Sequence, residues 1–431
     1  MKNKKIYALG FGTANQGEQS QLIGALNAIA KLTKTEVDID KQVLLPKNVD
    51  SLFEMKDNIS FLDFKNYKSY KEYLYSLLDD YFSKTSFIPN VFIKVFNQAE
   101  NNDAFINTDM TCKAIKEYYQ EHNLGNIFTT ILTSRYYKYK YVDLINIPKH
   151  LLNFSSRIRL LHNKELRKKS LITIGTVNNF SKELVDNKYE ELNKKLEELK
   201  DDAEVGELVN KLLAYKKQKK HIVFCLGGRV SGQEIRFDLN YAKRIFQDAE
   251  RLKSAGYGIL FVNGHRTPND VSDYLYEKAN LDDKIVFCNC KKVAQSIDDR
   301  LDNYWRIYSG RNEFSFRRMQ KMGNIYPGVL GIPNTLVVHT FDSYSSCETT
   351  VAGIPTAISS KGIYIDKDVR YDCHNLVSLL CPKYAIEWED FFKLALNMKL
   401  EPKNLHPQNL SSSLRVFAES VMNRMEKADY L

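Results

Sequence analysis

The residues best suited to chemistry gather in three short segments of the carboxy-terminal half. Gly227-Gly228-Arg229-Val230-Ser231-Gly232 follows one apolar run. Gly264-His265-Arg266-Thr267-Pro268 follows another. Asp342-Ser343-Tyr344-Ser345-Ser346 follows a third and leads into Glu348, Gly353 and Pro355, an E-x4-G-x-P spacing. Glycine lets a backbone approach a ligand closely, while arginine, threonine and serine bring donors. Backbone N–H groups and donors at a helix start suit an anion, and the set as a whole suits a nucleotide diphosphate.

Within that set, Gly227, Gly228, Arg229, Arg266, Thr267, Ser343, Ser345 and Ser346 are the candidate phosphate ligands. Arg266 has a second reading as a cap on the neighbouring helix. Asp342 either bonds a base or sugar or caps a helix as an Asx residue. Glu348 stands at a helix start, where the dipole stabilises an acid whatever its role. A general base is left unassigned. His265 and His339 are considered for it, and neither is adopted, because lone histidines most often pack. Seven cysteines lie far apart with no C-x-x-C pair, and neither Cys288/Cys290 nor Cys373-His374 makes a zinc set. No metal and no cofactor is expected, and the thiols are read as reduced, in a cytoplasmic protein.

The elements that must position these segments are easily read in this half. His221–Leu226, Gly258–Val262, Lys284–Cys288, Leu336–His339 and Thr356–Ile358 are short apolar runs bounded by turn signals and read as strands. Leu239–Leu252, with apolar residues at helical spacing, and a segment from Asn269 read as helices between them. Strand alternating with helix predicts a parallel sheet covered on both faces, with ligands at the carboxyl ends of its strands.

The amino-terminal half repeats the theme less clearly. Ile6–Leu9 reads as a strand. A loop holding Gly10, Gly12 and Gly17 follows, then a helix with Leu22, Ile23, Leu26, Ile29 and Leu32 on one face. The loop is not a dinucleotide fingerprint, because Asn15 stands where the last glycine would be. It either makes a turn or binds. Tyr67–Phe82 reads as an amphipathic helix, Phe105–Asn107 as a strand, and Thr111–His122 as a helix. Ile127–Leu132, Val142–Ile147 and Leu171–Ile174 read as strands. Basic and aromatic residues interleave from Arg135, and Arg157, Arg159, Lys164, Arg167, Lys168 and Lys169 cluster further on. Either an anionic membrane surface or plain solvent meets that cluster. Residues 181–220, rich in lysine and glutamate, read as a helical bridge, and Leu410–Leu431 as a helix.

The length of 431 residues fits two domains, and 43% hydrophobic residues fill two cores. The expected divisions are 1–180, a helical linker at 181–220, 221–400, and a carboxy-terminal helix at 401–431 packing back on the first domain. A net charge of +9 favours anionic partners. No nucleic-acid module is recognised, so none is expected as a partner. The short apolar run of MKNKKIYALGFG falls below a secretory leader. No apolar stretch approaches the roughly 20 residues of a membrane helix. The chain is therefore expected in the cytoplasm, with a peripheral place on the inner face of a membrane as the alternative to free solution.

The ordered series of motifs resembles the GT-B-like family of mitochondrial fission factors and their bacterial homologues. It comprises Gly12 to Gln19, Asp143–His150 (DLINIPKH), Thr173–Phe180 (TIGTVNNF), Ile222–Gly228, Gly264–Pro268 (GHRTP), Asn324–Leu330 (NIYPGVL), Val337–Ser343 (VVHTFDS) and Glu348–Pro355. The resemblance implies two Rossmann-type doubly wound domains facing a central cleft. It implies a donor nucleotide-sugar in the second domain, its ribose hydroxyls on Glu348, and an acceptor near Gly12 and Gln19. A metal-independent glycosyltransferase is then expected, moving a sugar to a lipid-linked or surface-polysaccharide acceptor. A non-catalytic membrane-associated protein that kept the fold and a sugar-nucleotide epimerase are the alternatives. Phe11 stands where the family usually has an aspartate, and Asn15 where it has a glycine. Both departures fall on the acceptor side.

Overall fold

A computed structural model of the chain describes residues 6–11, 16–35, 43–44, 67–95, 104–132, 139–152, 154–173, 175–203, 205–227, 238–263, 267–282, 284–289, 322, 325–340, 348–350, 352–358, 392–393, 395–396 and 411–428. Contacts divide it into two units, Met1–Asn179 with Asn409–Leu431, and Phe180–Gln408.

The first unit holds β1 (Ala8–Phe11), α1 (Gln16–Thr33), β2 (Val43–Leu44), α2 (Tyr67–Lys84), β3 (Val91–Val95), α3 (Ala104–Glu121), β4 (Phe128–Leu132) and β5 (Leu144–Pro148). It continues with α4 (Phe154–His162), α5 (Lys164–Lys169) and β6 (Ser170–Thr173). The strands are parallel, in the order β2-β1-β3-β4-β5-β6. Apolar residues alternate between two cores. Leu9, Phe92, Ile131 and Ile145 face α2 and α3 with Leu78, Ile115 and Tyr119. Ala8, Val91, Ile93, Phe128 and Leu144 face α1 with Leu22, Leu26 and Ile29.

Residues 105–107, expected as a strand, lie inside α3. Three apolar or amide residues are too short a run to tell a strand from a helix turn, and the stripe through Thr108, Cys112 and Ile115 continues the helical period. Strand β3 fills a stretch that sequence patterning leaves unassigned.

The second unit opens with α6 (Lys182–Glu198) and α7 (Gly206–Lys216). Next come β7 (Lys220–Cys225), α8 (Leu239–Ser254), β8 (Tyr257–Asn263), α9 (Asn269–Asn280) and β9 (Ile285–Asn289). It closes with α10 (Tyr326–Leu330), β10 (Thr335–His339) and β11 (Thr356–Ile358). All five strands are parallel, in the order β11-β10-β7-β8-β9. One face packs α8 and α9 through Ala242, Ile245, Phe246, Leu252, Val271 and Leu275. Burying a side chain such as Ile245 or Phe246 stabilises by about 1.5–3 kcal/mol. The other face packs Val185, Leu192, Leu196, Val209 and Leu212 of α6 and α7 with Val329 and Leu330 of α10. The segment 181–220, read as a bridge, thus supplies one of the two helical layers of this unit. Both sheets are parallel and covered on both faces, the doubly wound α/β class expected of the chain.

Helix α11 (Ser411–Lys427) lies in the first unit's core through Phe417, Ala418, Val421 and Met425. Its Arg424 donates to the Asp143 and Ser170 carbonyls at 3.4 and 3.1 Å.

Candidate functional site

In the second sheet the chain runs from β7 outward through β8 and β9, then returns to the other side of β7 for β10 and β11. The reversal between β7 and β10 is a topological switch point, where the loops at the carboxyl ends part and leave a crevice. Cys225 pairs with His339 there, so the two strands end side by side.

Hydrogen bonds tie Gly227, Thr267 and Thr340 to the strand ends at this edge. The Gly227 amide donates to the Thr340 hydroxyl at 2.9 Å. The Thr340 amide donates to the Cys225 carbonyl at 3.1 Å, and the Thr267 hydroxyl to the Leu226 carbonyl at 3.1 Å. Leu226 in turn donates to the Val262 carbonyl at 2.7 Å. Thr267 and Thr340 are buried. Leu226 and Gly227, the two residues after β7, are therefore bonded to Thr267 before α9 and to Thr340, the first residue beyond β10. Helix α9 starts at Asn269 behind Pro268, so its positive end lies at the same edge. The glycine turn leads to α8, capped where Asp238 accepts from the Tyr241 amide at 2.9 Å.

Residues 348–350 are helical, and the Ala352 amide donates to the Glu348 carbonyl at 3.0 Å, closing a turn. Gly353 ends that turn at φ +75°, a left-handed conformation open to glycine. Pro355 then accepts from the Val337 amide at 2.8 Å and starts β11. The E-x4-G-x-P spacing thus runs from a half-buried Glu348 through a helical turn into β11. Thr349, next to it, is pinned to the end of β10. Its hydroxyl lies 3.1 Å from His339 Nε2 and 2.9 Å from the Thr356 hydroxyl.

Of the predicted site residues, Gly227 and Thr267 meet at the switch point and Glu348 begins the turn beside it. Gly228, Arg229, Arg266, Asp342, Ser343, Ser345, Ser346 and Gly12 lie outside the described residues, and Gln19 is described only as backbone in the first turn of α1. His339 is fully enclosed, and burial pushes its imidazole down to about 3, so it is neutral and out of reach of a substrate proton. His265 lies outside the described residues. Among the described residues no group of three or more His, Cys, Asp or Glu side chains could hold a metal.

The first sheet has its own switch point, between β1 and β3. Phe11 and Lys94 are register partners there. Lys94 is only 3% exposed, and its ammonium lies 5.3 Å from the Phe11 ring centroid. Sequence reading passed over this cation. Its signal was a single lysine inside the apolar run VFIKV, where a surface strand would alternate.

Other motif residues prove to be packing devices. Asp143 accepts from the Thr129 amide and hydroxyl and from Lys116, each within 2.9 Å, and pins the start of β5. A Cβ on Gly24 would meet the Asn178 carbonyl carbon at 2.4 Å, so α1 rides directly on the loop after β6. Gly328 of NIYPGVL and Gly331 just after it let α10 press against α6, where added Cβ atoms would fall 2.6 Å from the Lys188 oxygen and 2.5 Å from the Tyr189 Cβ. Asn334 takes φ +59° and donates to the Lys219 carbonyl at 3.2 Å on entry to β10.

Fold and edge together define a chain of two doubly wound parallel α/β units, each with polar or charged residues at its switch point. No protein-family model matches the chain, and no curated protein matches it. Among solved structures it is similar to UDP-GlcNAc 2-epimerase from Methanocaldococcus jannaschii, at 12% identity and TM-score 0.47, over 96% of this chain and 99% of the other. It is similar to UDP-GlcNAc 2-epimerase from Neisseria meningitidis bound to UDP-GlcNAc, at 12% identity and TM-score 0.46, over 97% and 99%. It is also similar to α,α-trehalose 6-phosphate synthase from Burkholderia multivorans, at 8% identity and TM-score 0.42, over 99% and 96%. Likenesses this distant leave the assignment to the topology of the two sheets and to the edges described above.

Proposed function

We propose that the chain is a GT-B-type glycosyltransferase that takes a nucleotide-sugar at the second unit. The observation that carries this reading is the convergence of Gly227, Thr267 and Thr340 at the β7/β10 switch point, with the Glu348 turn beside them. A departing nucleoside diphosphate carries developing charge, which must be met by fixed donors. The glycine turn, the start of α9, Arg229 and Arg266 supply them in this reading, with Ser343, Ser345 and Ser346 from the loop after β10. Glu348 holds the ribose and Asp342 the base or sugar. No metal is called for.

The acceptor is taken by the first unit, near Gly12 and Gln19, and is lipid-linked or a surface glycan. Lys94 and Phe11 at that unit's switch point fit an acceptor with an anionic group. Departures from the family pattern at Phe11 and Asn15 favour a second reading, a membrane-associated protein that kept the fold without catalysis. A sugar-nucleotide epimerase, which needs paired acid/base carboxylates, is the remaining alternative.

A thermal-shift panel of nucleotide-sugars tests the proposal. A ligand held by the folded chain raises the melting temperature by mass action, about 2.7 kcal/mol of added stability at a hundred times its Kd. One nucleotide-sugar is expected to shift the transition. A flat response to every member of the panel contradicts the reading.

A further inference from the structure

Helix α4 is anchored by Leu160 and α5 by Leu166, both buried in the first unit's core. Asn163 joins them, its side chain accepting from the Leu166 amide at 2.9 Å. Two aliphatic residues of α4 are exposed instead of joining that anchor. Leu161 is 65% exposed and Ile158 39%, and their spacing of three places both on one face. Cations surround them, with Arg157, Arg159, Lys164, Arg167 and Lys168 all exposed. Glu165 is the one acid between residues 157 and 169, and it pairs with Lys168 at 3.0 Å. The Arg167 guanidinium donates to the Leu161 carbonyl at 3.2 Å, which holds its head beside that exposed residue, and Arg157 donates to the Leu152 carbonyl at 3.2 Å. Lys169 belongs elsewhere, turned inward onto the Tyr139 and Lys140 carbonyls.

We infer that this face of α4 and α5 docks on an anionic membrane surface, Leu161 and Ile158 entering the headgroup layer and the surrounding cations meeting acidic lipid. Aliphatic residues ringed by lysine and arginine are the composition of an interfacial helix. A basic patch concentrates near acidic lipid and loses that attraction with salt. Nucleic acid would gain from the cations but nothing from Leu161 and Ile158. A second copy docked face to face would oppose five cations to themselves. The inference extends the proposed function by locating the membrane side of the acceptor unit, and its test involves no nucleotide, so either can fail alone.

The full chain is sedimented with vesicles of phosphatidylcholine alone and of an equimolar phosphatidylcholine and phosphatidylglycerol mixture. Binding is expected to the mixed vesicles only, weakened at least about tenfold by about 0.5 M salt. Ile158→Ser with Leu161→Ser, and separately Lys164→Glu with Lys168→Glu, are expected to lower it by a similar factor with circular dichroism unchanged. Hydrogen exchange on the unaltered chain guards against a misfolded variant, with residues 157–168 expected to gain protection on adding mixed vesicles. No binding to the mixed vesicles overturns the inference, as does binding that either pair leaves unchanged. Capture of a single-stranded RNA in their place, or a dimer that Leu161→Ser dissociates, also overturns it and assigns the patch to that partner.

Discussion

The Gly227 amide points at the Thr340 hydroxyl from 2.9 Å, across the switch point of the second sheet. These residues are 113 apart in the chain, and the bond joins the residues that leave β7 and β10. The same hydroxyl lies 3.4 Å from the Cys225 carbonyl, so its single proton and one lone pair are both engaged. A ligand seated on the glycine turn therefore depends on a residue at the end of a different strand.

Replacing Thr340 with valine keeps the shape and strands the buried Gly227 amide. The expected loss is about 1–3 kcal/mol of stability. Nucleotide binding is expected to weaken with it, while Thr340→Ser restores both. Urea unfolding and calorimetry on the three chains check this.

Lys94→Met keeps the length of the side chain and removes the buried cation. Donor nucleotide binding is expected to be unchanged, because Lys94 belongs to the first unit. Transfer is expected to fall by about tenfold or more, the scale of one lost charge-assisted contact. Turnover equal to that of the parent chain removes Lys94 from the acceptor site.

The pH dependence of stability has a definite sign. Burial holds His339 near 3 against its ordinary 6.5, so the folded chain keeps it neutral while the unfolded chain protonates it. The contribution is fully present above pH 6.5 and is lost as pH falls from there toward 3. The slope is at most about 1.4 kcal/mol per pH unit for the one proton. Burial lowers His221 too, and acts in the same direction. His339→Asn is expected to flatten the fall between about pH 7 and pH 5 by one proton's worth, measured by urea unfolding. An unchanged slope places that proton elsewhere.

Gly24→Ala tests the packing of α1 on the loop after β6. Its Cβ would meet the Asn178 backbone at 2.4 Å, so α1 or the loop must shift. The expected cost is about 1–3 kcal/mol, against the gain of about 1 kcal/mol that alanine brings at an unobstructed helix position. A more stable variant shows that the loop yields freely.

The second unit was legible because its strands are buried on both faces and read as continuous apolar runs. The run read as His221–Leu226 differs from β7 by one residue at each end, and the one read as Leu336–His339 differs from β10 by one. Strand β3 escaped notice because Lys94 interrupts its apolar run and Pro89-Asn90 precedes it. A buried cation at a switch point breaks the pattern that marks a strand. Asp143 and Gly328, from the motifs that carry the family resemblance, hold a strand start and a helix contact. Sequence spacing located E-x4-G-x-P with Gly353 as a helix stop, and its φ of +75° is the left-handed conformation such a stop takes.

The central claim is that the β7/β10 edge holds a nucleotide through Glu348. Calorimetry of the full chain against UDP, GDP, ADP and CMP, beside Glu348→Ala, tests it most directly. Heat from one nucleotide, lost in the variant while its unfolding free energy stays within about 0.5 kcal/mol, is the predicted result. No heat from any of the four, or equal heat from both chains, contradicts it.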